Sequence, residues 1–590
     1  MACLNLIPVL GGVIAAVEEE ARRLREEFLR SAGPRGRRAK APVDTEIELR
    51  LVQALQALLP CAFLGEETGL TPGPQGGWLW LVDPHDGTKQ FLEGGGGSSV
   101  SVGLLRENVP VLGVVTSPTC PDRGWDTIAW AEGGELTRNG EPVSPDLSSR
   151  PLTNREIVWV TASAALRPVT YSRAAAPARY VAMASIAYRL ARIAAGDGAA
   201  AMSIHSVNEY DIAAGAALVR AAGGVLLDAQ GRQIAFTGQP DARVSGCFAG
   251  SLQAATQLAS FDWRALEREA KRTVRVATPF PRISDDTRLS RAQGCLLGQV
   301  IGDSLGSLVE FRTAEEIART WPHGVRELSD GGTWGTMAGQ PTDDSELALA
   351  LARTMLREGG FEPNAVLLAY RHWMASQPFD IGDTTRRGLL GEPDPASQSN
   401  GSLMRVAPIG VWAAGDPGRA ALAARDDSRL THPNPVCVNA CAAFVAAIAA
   451  GVAGGARQDM AGAAFGAIPD AAPVRDAIES GISGSMPEFG NSPGWVLVAL
   501  QNAFYQLFHA PTAEEALVAT VSAGGDTDTN GAIAGALAGA LHGRQGFPSR
   551  WVLPVLACRP AAEADAFRPR PMEYWPDDVL QLAEALLKLA

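Results

Sequence analysis

One stretch constrains this chain more than any other. FDWRALEREAKRTVRVATPFPRISDDTRL, beginning at Phe261, is polar, basic and interrupted by proline, with no apolar period after about residue 270. Such a segment has little to bury, so it predicts a boundary between folded bodies. With 590 residues the chain also exceeds what one hydrophobic core normally serves. We place a linker at 269–287, one domain at 1–268 and another at 288–590.

The two sides differ in texture. Before the boundary, WLWLVD (78–83), SSVSVGLL (98–105) and the following PVLGVVTSP read as strands, while IAAGAALVRAAGG (212–224) has a helical period closed by a glycine pair. GVLLDAQG then reads as strand and turn. This is an α/β layered pattern. After the boundary, LALALARTMLREGG, ACAAFVAAIAAGVAGG, GWVLVALQNAFYQLFHA and GAIAGALAGALHG alternate with Gly/Pro/Asp loops, and strand signals are nearly absent. The second half is expected to be all-α.

Charge and cysteine usage narrow the function classes. A formal net charge of -13 gives no counterion-release advantage on nucleic acid, so no nucleic-acid partner is expected. None of the eight cysteines forms a CxxC pair, which disfavours zinc and makes a reducing, cytoplasmic setting the default. The N-terminal apolar run is followed at once by Glu18, Glu19, Glu20, Arg22 and Arg23, which predicts an amphipathic helix. The longest later apolar run, from Ala440, is Ala/Gly-rich and short for a membrane span, and we read it as a buried helix. No membrane partner is expected, and the sequence leaves the oligomeric state open.

Two constellations of acids carry the chemistry. In the first half they are Gly65-Glu66-Glu67-Thr68, then Asp83-Pro84-His85-Asp86-Gly87-Thr88 at the end of a strand, Asp211 at a helix start, and the acidic run Asp44, Glu46, Glu48. Hard carboxylate oxygens at a strand-end turn suit Mg²⁺, which commonly takes one or two carboxylates plus phosphate oxygens. Gly87 lets backbone approach an anion, and a helix opening at Thr88 would present free N–H groups. Taken singly, an Asp at a turn or at an N-cap is ordinary. In the second half, Thr342-Asp343-Asp344-Ser345-Glu346 and Gly525-Asp526-Thr527-Asp528-Thr529-Asn530 each precede an apolar helix. A cap needs one acid and these clusters offer several, so two facing clusters holding hard cations is the better reading.

The order GEE, DPHDGT and YDIAAG resembles the inositol monophosphatase family over about residues 1–260. That resemblance implies Mg²⁺, a layered α/β sandwich and hydrolysis of a small phosphate monoester, an inositol phosphate or 3'-phosphonucleotide. By position it assigns Glu66, Asp83, Asp86 and Asp211 as metal carboxylates and the backbone carbonyl of His85 as a further ligand. It assigns Thr88 and Glu67 to water activation, Gly87 and Thr88 to phosphate, and Ser185 to the substrate-side segment Met183–Tyr188. Two departures stand out: Tyr210 replaces the family's tryptophan, and the PVT-like segment after Lys40 leaves Asp44, Glu46 or Glu48 to take one role.

From about 290 to 590, GCLLGQVIGDSLGSLVEF, TDDSE, NGSLMRVAPIG, Thr431-His432-Pro433 and GDTDTNGAIAGALAGALHG resemble the ADP-ribosylglycohydrolase family. The resemblance implies an all-α domain with a dinuclear Mg²⁺ or Mn²⁺ site of Thr342, Asp343, Asp344, Asp526, Asp528 and Thr529, and Glu310 near the scissile bond. Asn400, Gly401, Ser402, Arg405 and His432 fall in its substrate-lining motifs. The expected protein is a bifunctional hydrolase acting on an ADP-ribosylated substrate and a phosphate ester. The alternative is one active domain beside a non-catalytic module.

Overall fold

The computed structural model describes residues 4–74, 76–263, 265–271, 280–489 and 494–589. They fall into two compact units, one up to 271 together with 280–282, the other from 283 onward.

The first unit is built on two sheets. The larger runs in the order Gly69–Thr71, Ala62–Gly65, Trp78–Asp86, Ser99–Arg106, Val109–Cys120, Gly124–Ala131, Thr137–Arg138, Glu141–Pro142. Its central strands alternate by period two. Val100, Val102 and Leu104 on one strand and Leu112 and Val114 on the next join a core with the helices Ile7–Phe28 and Pro42–Leu58. The opposite face carries Gly103 and Gly113, where a Cβ would lie 2.8 Å from the Ala214 nitrogen and 2.3 Å from the Ala214 carbonyl oxygen. Bare backbone there lets the helix Glu209–Ala221 lie directly on the sheet, which brings Asp211 toward the end of strand Trp78–Asp86. A five-stranded sheet (Arg179–Met183, Ile157–Thr161, Ala200–Ser203, Cys247–Gly250, Val225–Leu227) has its own core around Tyr171, Tyr180 and Phe248.

The second unit is helical, and no strand occurs among its described residues. Its centre is the pair Asp286–Gly306 and Thr527–His542. Both helices carry glycine every fourth residue: Gly294, Gly298, Gly302 and Gly306 on one, Gly531, Gly535 and Gly539 on the other, with Gly543 just past its end. A Cβ at Gly298 would lie 2.2 Å from the Gly535 carbonyl, and one at Gly539 would lie 1.9 Å from the Gly294 carbonyl. Backbone therefore packs on backbone along the seam, closer than any side chain allows. The consequence is positional: Asp303 and Asp528 are presented where these helices meet. Pro435–Val452, apolar and long enough to cross a membrane, lies mostly buried against the other helices.

The linker expectation needs adjustment. Residues 272–279 lie outside the described residues. Phe280 packs edge-on to Phe28 at 5.7 Å, so part of the stretch is docked on the first unit. The next helix starts at Asp286, capped by the Asp285 carboxylate on the Arg288 N–H, earlier than the expected end at 287.

Two candidate metal centres

In the first unit four carboxylates converge. Asp83 and Asp86 close the strand Trp78–Asp86, Glu66 follows the neighbouring strand, and Asp211 is the third residue of Glu209–Ala221. Burial, then Glu66, Asp86 and Asp211, push the Asp83 carboxyl far above its ordinary range. Asp211 is raised likewise by burial and by Asp86, and Glu66 is pushed up to about 7 by loss of solvent and by Glu67, Asp86 and Asp44. Arg189 offsets the charge of Asp86 alone, and the acids that raise one another in this way call for the further counter-charge that a divalent cation supplies. The donor set, all hard oxygen, fits Mg²⁺.

Gly87 has φ 101°, a left-handed turn that opens the short helix Thr88–Leu92. Thr88 Oγ1 donates to the His85 carbonyl at 2.8 Å. The His85 imidazole is buried: Nδ1 contacts Asp44 Oδ1 at 2.6 Å and the ring stands edge-on to Phe91. Asp44 is thus spent on His85 and on the Ala41 N–H. The other two acids of that run also have structural partners. Glu46 pairs with Arg35, and fully buried Glu48 accepts the N–H groups of Glu67 and Thr68 at 3.0 and 2.6 Å, holding the GEET turn. Exposed Glu67 accepts from Thr45 Oγ1 at 3.1 Å. Ser185, expected to face substrate, is fully buried and bonded to Asp86 Oδ2 at 2.6 Å and to the Tyr188 N–H. It caps a helix and fixes Asp86 instead.

In the second unit the acids sit at helix ends. Asp303 is fully buried and accepts the Thr342 N–H at 3.0 Å and the Ser345 N–H at 3.0 Å, capping the helix Asp343–Glu358 from a neighbouring element. Thr342 Oγ1 stands 2.9 Å from both Asp303 Oδ1 and Asp344 Oδ2. Phe311 donates its N–H to Gly525 O and Gly525 donates to Arg312 O, a short bridge that brings Glu310 beside Asp526. Ligand oxygens of Glu310, Asp526 and Asp528 lie within 4.8 Å of one another. Asn400 Nδ2 donates to Asp526 Oδ2 at 2.7 Å, and Trp334 Nε1 donates to Glu310 Oε2 at 2.6 Å. The Thr529 N–H is bonded to Asp528 Oδ1 at 2.9 Å.

Burial, then Asp526 and Asp343, raise Glu310 to about 7; burial, then Asp526, raise Asp343 to about 6. Asp344 and Asp528 are driven well above the carboxylate range by burial and by their acidic neighbours. Asp344 Oδ1 is buried with no hydrogen-bond partner among the described residues. A buried carboxylate oxygen left unpaired is expensive, and this one fits a bound divalent cation.

Sequence reasoning missed three residues here. Asp303 lies within GCLLGQVIGDSLGSLVEF, flanked by seam glycines, but its capping role is three-dimensional. Asp380, hydrogen-bonded to Asp343 and raised to about 9 by burial and by Asp343, Glu310 and Asp303, is a lone loop acid with no sequence signal. Trp334 likewise stood outside every motif.

Four expected substrate residues are instead structural. Arg405 is fully buried, bonded through Nε to Asp427 Oδ2 at 3.0 Å and stacked over Tyr370 at 4.5 Å, so it has no face for pyrophosphate. His432 is fully buried between Thr431 Oγ1 and Ser399 Oγ, and burial lowers it to about 3. Ser402 is buried against Ser428 and Cys441. At Gly401 a Cβ would lie 2.8 Å from Thr385 Oγ1, so glycine serves close packing there.

The sequence pattern of the inositol monophosphatase family matches residues 10–267, and that of ADP-ribosylglycohydrolase matches 284–590. The ADP-ribosyl-(dinitrogen reductase) glycohydrolase of Rhodospirillum rubrum is 30% identical over 272 residues, 44% of this chain and 89% of that protein. The ADP-ribosylarginine hydrolase Tri1 of Pseudomonas putida is 29% identical over 287 residues, 46% of this chain and 75% of that one. The probable inositol 1-monophosphatase ImpA of Mycobacterium tuberculosis is 34% identical over 206 residues, 32% of this chain and 71% of that one. The chain is therefore a hydrolase of fused descent: its first half belongs to the inositol monophosphatase family and its second to the ADP-ribosylglycohydrolase family.

Proposed function

We propose that both halves are active: the second releases ADP-ribose from an arginine acceptor, and the first hydrolyses a small phosphate monoester. The observation that carries the reading is the unpaired Asp344 Oδ1 within a crowd of mutually raised acids, a frame that neutralises only around cations. The arginine linkage is suggested by the substrate in the name of the Pseudomonas relative.

Thr342, Asp343, Asp344, Asp526 and Asp528 would hold two divalent cations in the second unit. Such ions would supply Lewis-acid binding of ribose hydroxyls and a water of lowered pKa. Glu310, raised to about 7 by burial, can carry a proton at working pH. Its carboxyl then donates to the acceptor nitrogen as the bond from that nitrogen to the anomeric carbon breaks, the water oxygen bonds to that carbon, and the proton that the water sheds returns Glu310 to its acid form. In the first unit Glu66, Asp83, Asp86 and Asp211 would hold Mg²⁺. Thr88 spends its hydroxyl proton on the His85 carbonyl, which leaves an Oγ1 lone pair free to accept a hydrogen from the attacking water.

The test is a substrate panel on wild type, Asp83→Asn and Asp526→Asn. Each variant should lose one activity and keep the other. Retention of both activities in both variants would overturn the assignments.

A further inference from the structure

Beside the second acid cluster stands a group of aromatic rings, of which only the Trp334 indole N–H has a partner so far. Trp334 is half-buried, and its ring centroid lies 6.4 Å from Phe311 and 6.0 Å from Phe379. All three border the acids. Trp334 is bonded to Glu310, Phe311 follows Glu310 in the chain, and Phe379 precedes Asp380. Phe311 is 68% exposed and has φ 65°. A large side chain in the left-handed region, pointing to solvent, is an outlier in both backbone and burial. The bridge of Phe311 and Arg312 to Gly525 holds it there. The loop bearing Trp334 is pinned as well: the Thr333 N–H donates to Ser307 O at 3.1 Å and Thr333 Oγ1 to Glu310 O at 3.0 Å.

The wall has a chemical preference. Its faces are aromatic and its border is the carboxyl oxygens of Glu310 and Asp380, which suits a planar N–H donor that stacks. A guanidinium is a flat, weakly hydrated cation that stacks on aromatic faces. One already does so here. Arg568 lies 5.9 Å over the Phe379 ring and 5.2 Å over Phe567, with its Nε bonded to Trp334 O at 2.7 Å.

We propose that Trp334 is the positioning residue for Glu310, and that the wall it forms with Phe311 and Phe379 receives the aglycone of the ADP-ribosyl bond as a planar guanidinium. This rests on the glycohydrolase reading above. The indole N–H fixes the Glu310 side chain beside the bond that breaks, while the rings hold the group that leaves. One residue thus couples recognition of the acceptor to the placement of the acid.

The experiment uses the full chain and three readouts: kinetics on a small ADP-ribosylarginine substrate, calorimetric binding of free ADP-ribose (which has no aglycone), and thermal unfolding. Phe379→Leu should raise KM about 5- to 30-fold and leave the ADP-ribose Kd unchanged. Trp334→Phe, which keeps a ring but removes the donor, should lower kcat about 10- to 100-fold with KM within about 2-fold. Both should melt near wild type. If Phe379→Leu weakens ADP-ribose binding as much as it raises KM, the wall holds the adenine side and the proposal falls. It falls equally if Trp334→Phe leaves kcat unchanged. A wild type that binds ADP-ribose but cleaves only non-arginine linkages overturns the guanidinium while sparing the glycohydrolase reading. A wild type that neither binds ADP-ribose nor cleaves any ADP-ribosyl bond overturns both.

Discussion

In the second unit Asp303 and Asp528 stand on two helices locked by backbone-to-backbone glycine packing, and Asp303 also holds the start of the helix that carries Asp343 and Asp344. In the first unit they come from a strand end, a rim turn and a helix start, with exposed Glu66 and Glu67 among them. Both solutions crowd carboxylates that need a cation, but they distribute the strain differently. The helical cluster is buried on nearly every side and has one oxygen wholly unpaired. The strand-end cluster meets solvent at its rim, where residues Glu66 and Glu67 are exposed, although the Glu66 carboxyl itself is partly desolvated. A rigid frame pays more for its charge when empty and should respond more sharply when the charge is removed.

The largest expected effect tests that contrast. Asp344→Asn should cut glycohydrolase activity at least about 1,000-fold, and in chelator it should raise the melting temperature of the second unit, because a crowded buried charge is gone. Asp83→Asn should cut phosphatase activity as deeply with a smaller thermal gain. Activity assays and calorimetry in chelator decide it. A lower melting temperature for Asp344→Asn would mean that this acid is structural glue, and the comparison would break.

The frames themselves come next. Gly535→Val forces a side chain into the Gly298 carbonyl, where even a Cβ would lie at 2.1 Å, and neither helix can yield without breaking the whole seam. It should destabilise the second unit by about 3 kcal/mol or more. Gly113→Val meets the Ala214 carbonyl at a similar 2.3 Å, but the helix Glu209–Ala221 can lift from the sheet. A loss of about 2 kcal/mol is expected there, with phosphatase activity suffering first because Asp211 moves. Denaturant curves on both variants provide the check; equal losses would show that the sheet-packed helix is as fixed as the glycine seam.

His432 gives the second unit an acid sensitivity. Its folded pKa is depressed to about 3, against an ordinary value of 6.5. The unfolded chain therefore binds the extra proton first. The stability it confers is complete above about pH 6.5 and is lost as pH falls toward the folded value, roughly 3 kcal/mol by pH 4. His432→Gln should flatten that slope relative to wild type. In the first unit Asp122, held low by the buried Arg192 guanidinium, acts only at lower pH, with stability present above the ordinary carboxylate range and lost below it.

Much of this was legible in the sequence because it was local. The strand texture of SSVSVGLL and the Ala- and Leu-rich run LALALARTMLREGG are local signals, and both became the expected elements. Several acids crowded before an apolar helix exceed what capping needs, and the structure gathers those acids. What failed was nonlocal. Arg405 and His432 carry chemistry that suits a substrate, but Asp427 and Ser399 absorb it from elsewhere in the chain. Ser185 looked like a pocket residue until Asp86 claimed its hydroxyl. Asp380 and Trp334 join the site only through folding, and the glycines of the two central helices acquire their meaning only where the helices pack together.

The smallest expected effect probes the open side of the first cluster. Glu67 is exposed and steadied by one hydrogen bond from Thr45 at 3.1 Å. Such a solvent-facing bond contributes about 0.5–1.5 kcal/mol at most, and water readily replaces it. Thr45→Val should therefore lower phosphatase kcat only about 2- to 5-fold, leave KM and melting temperature near wild type, and leave the glycohydrolase untouched. A far larger fall in kcat would mean that Glu67 must be held as firmly as Trp334 holds Glu310. The distinction between a solvated strand-end centre and a locked helical one would then lie in burial alone, not in how precisely each places its working carboxylate.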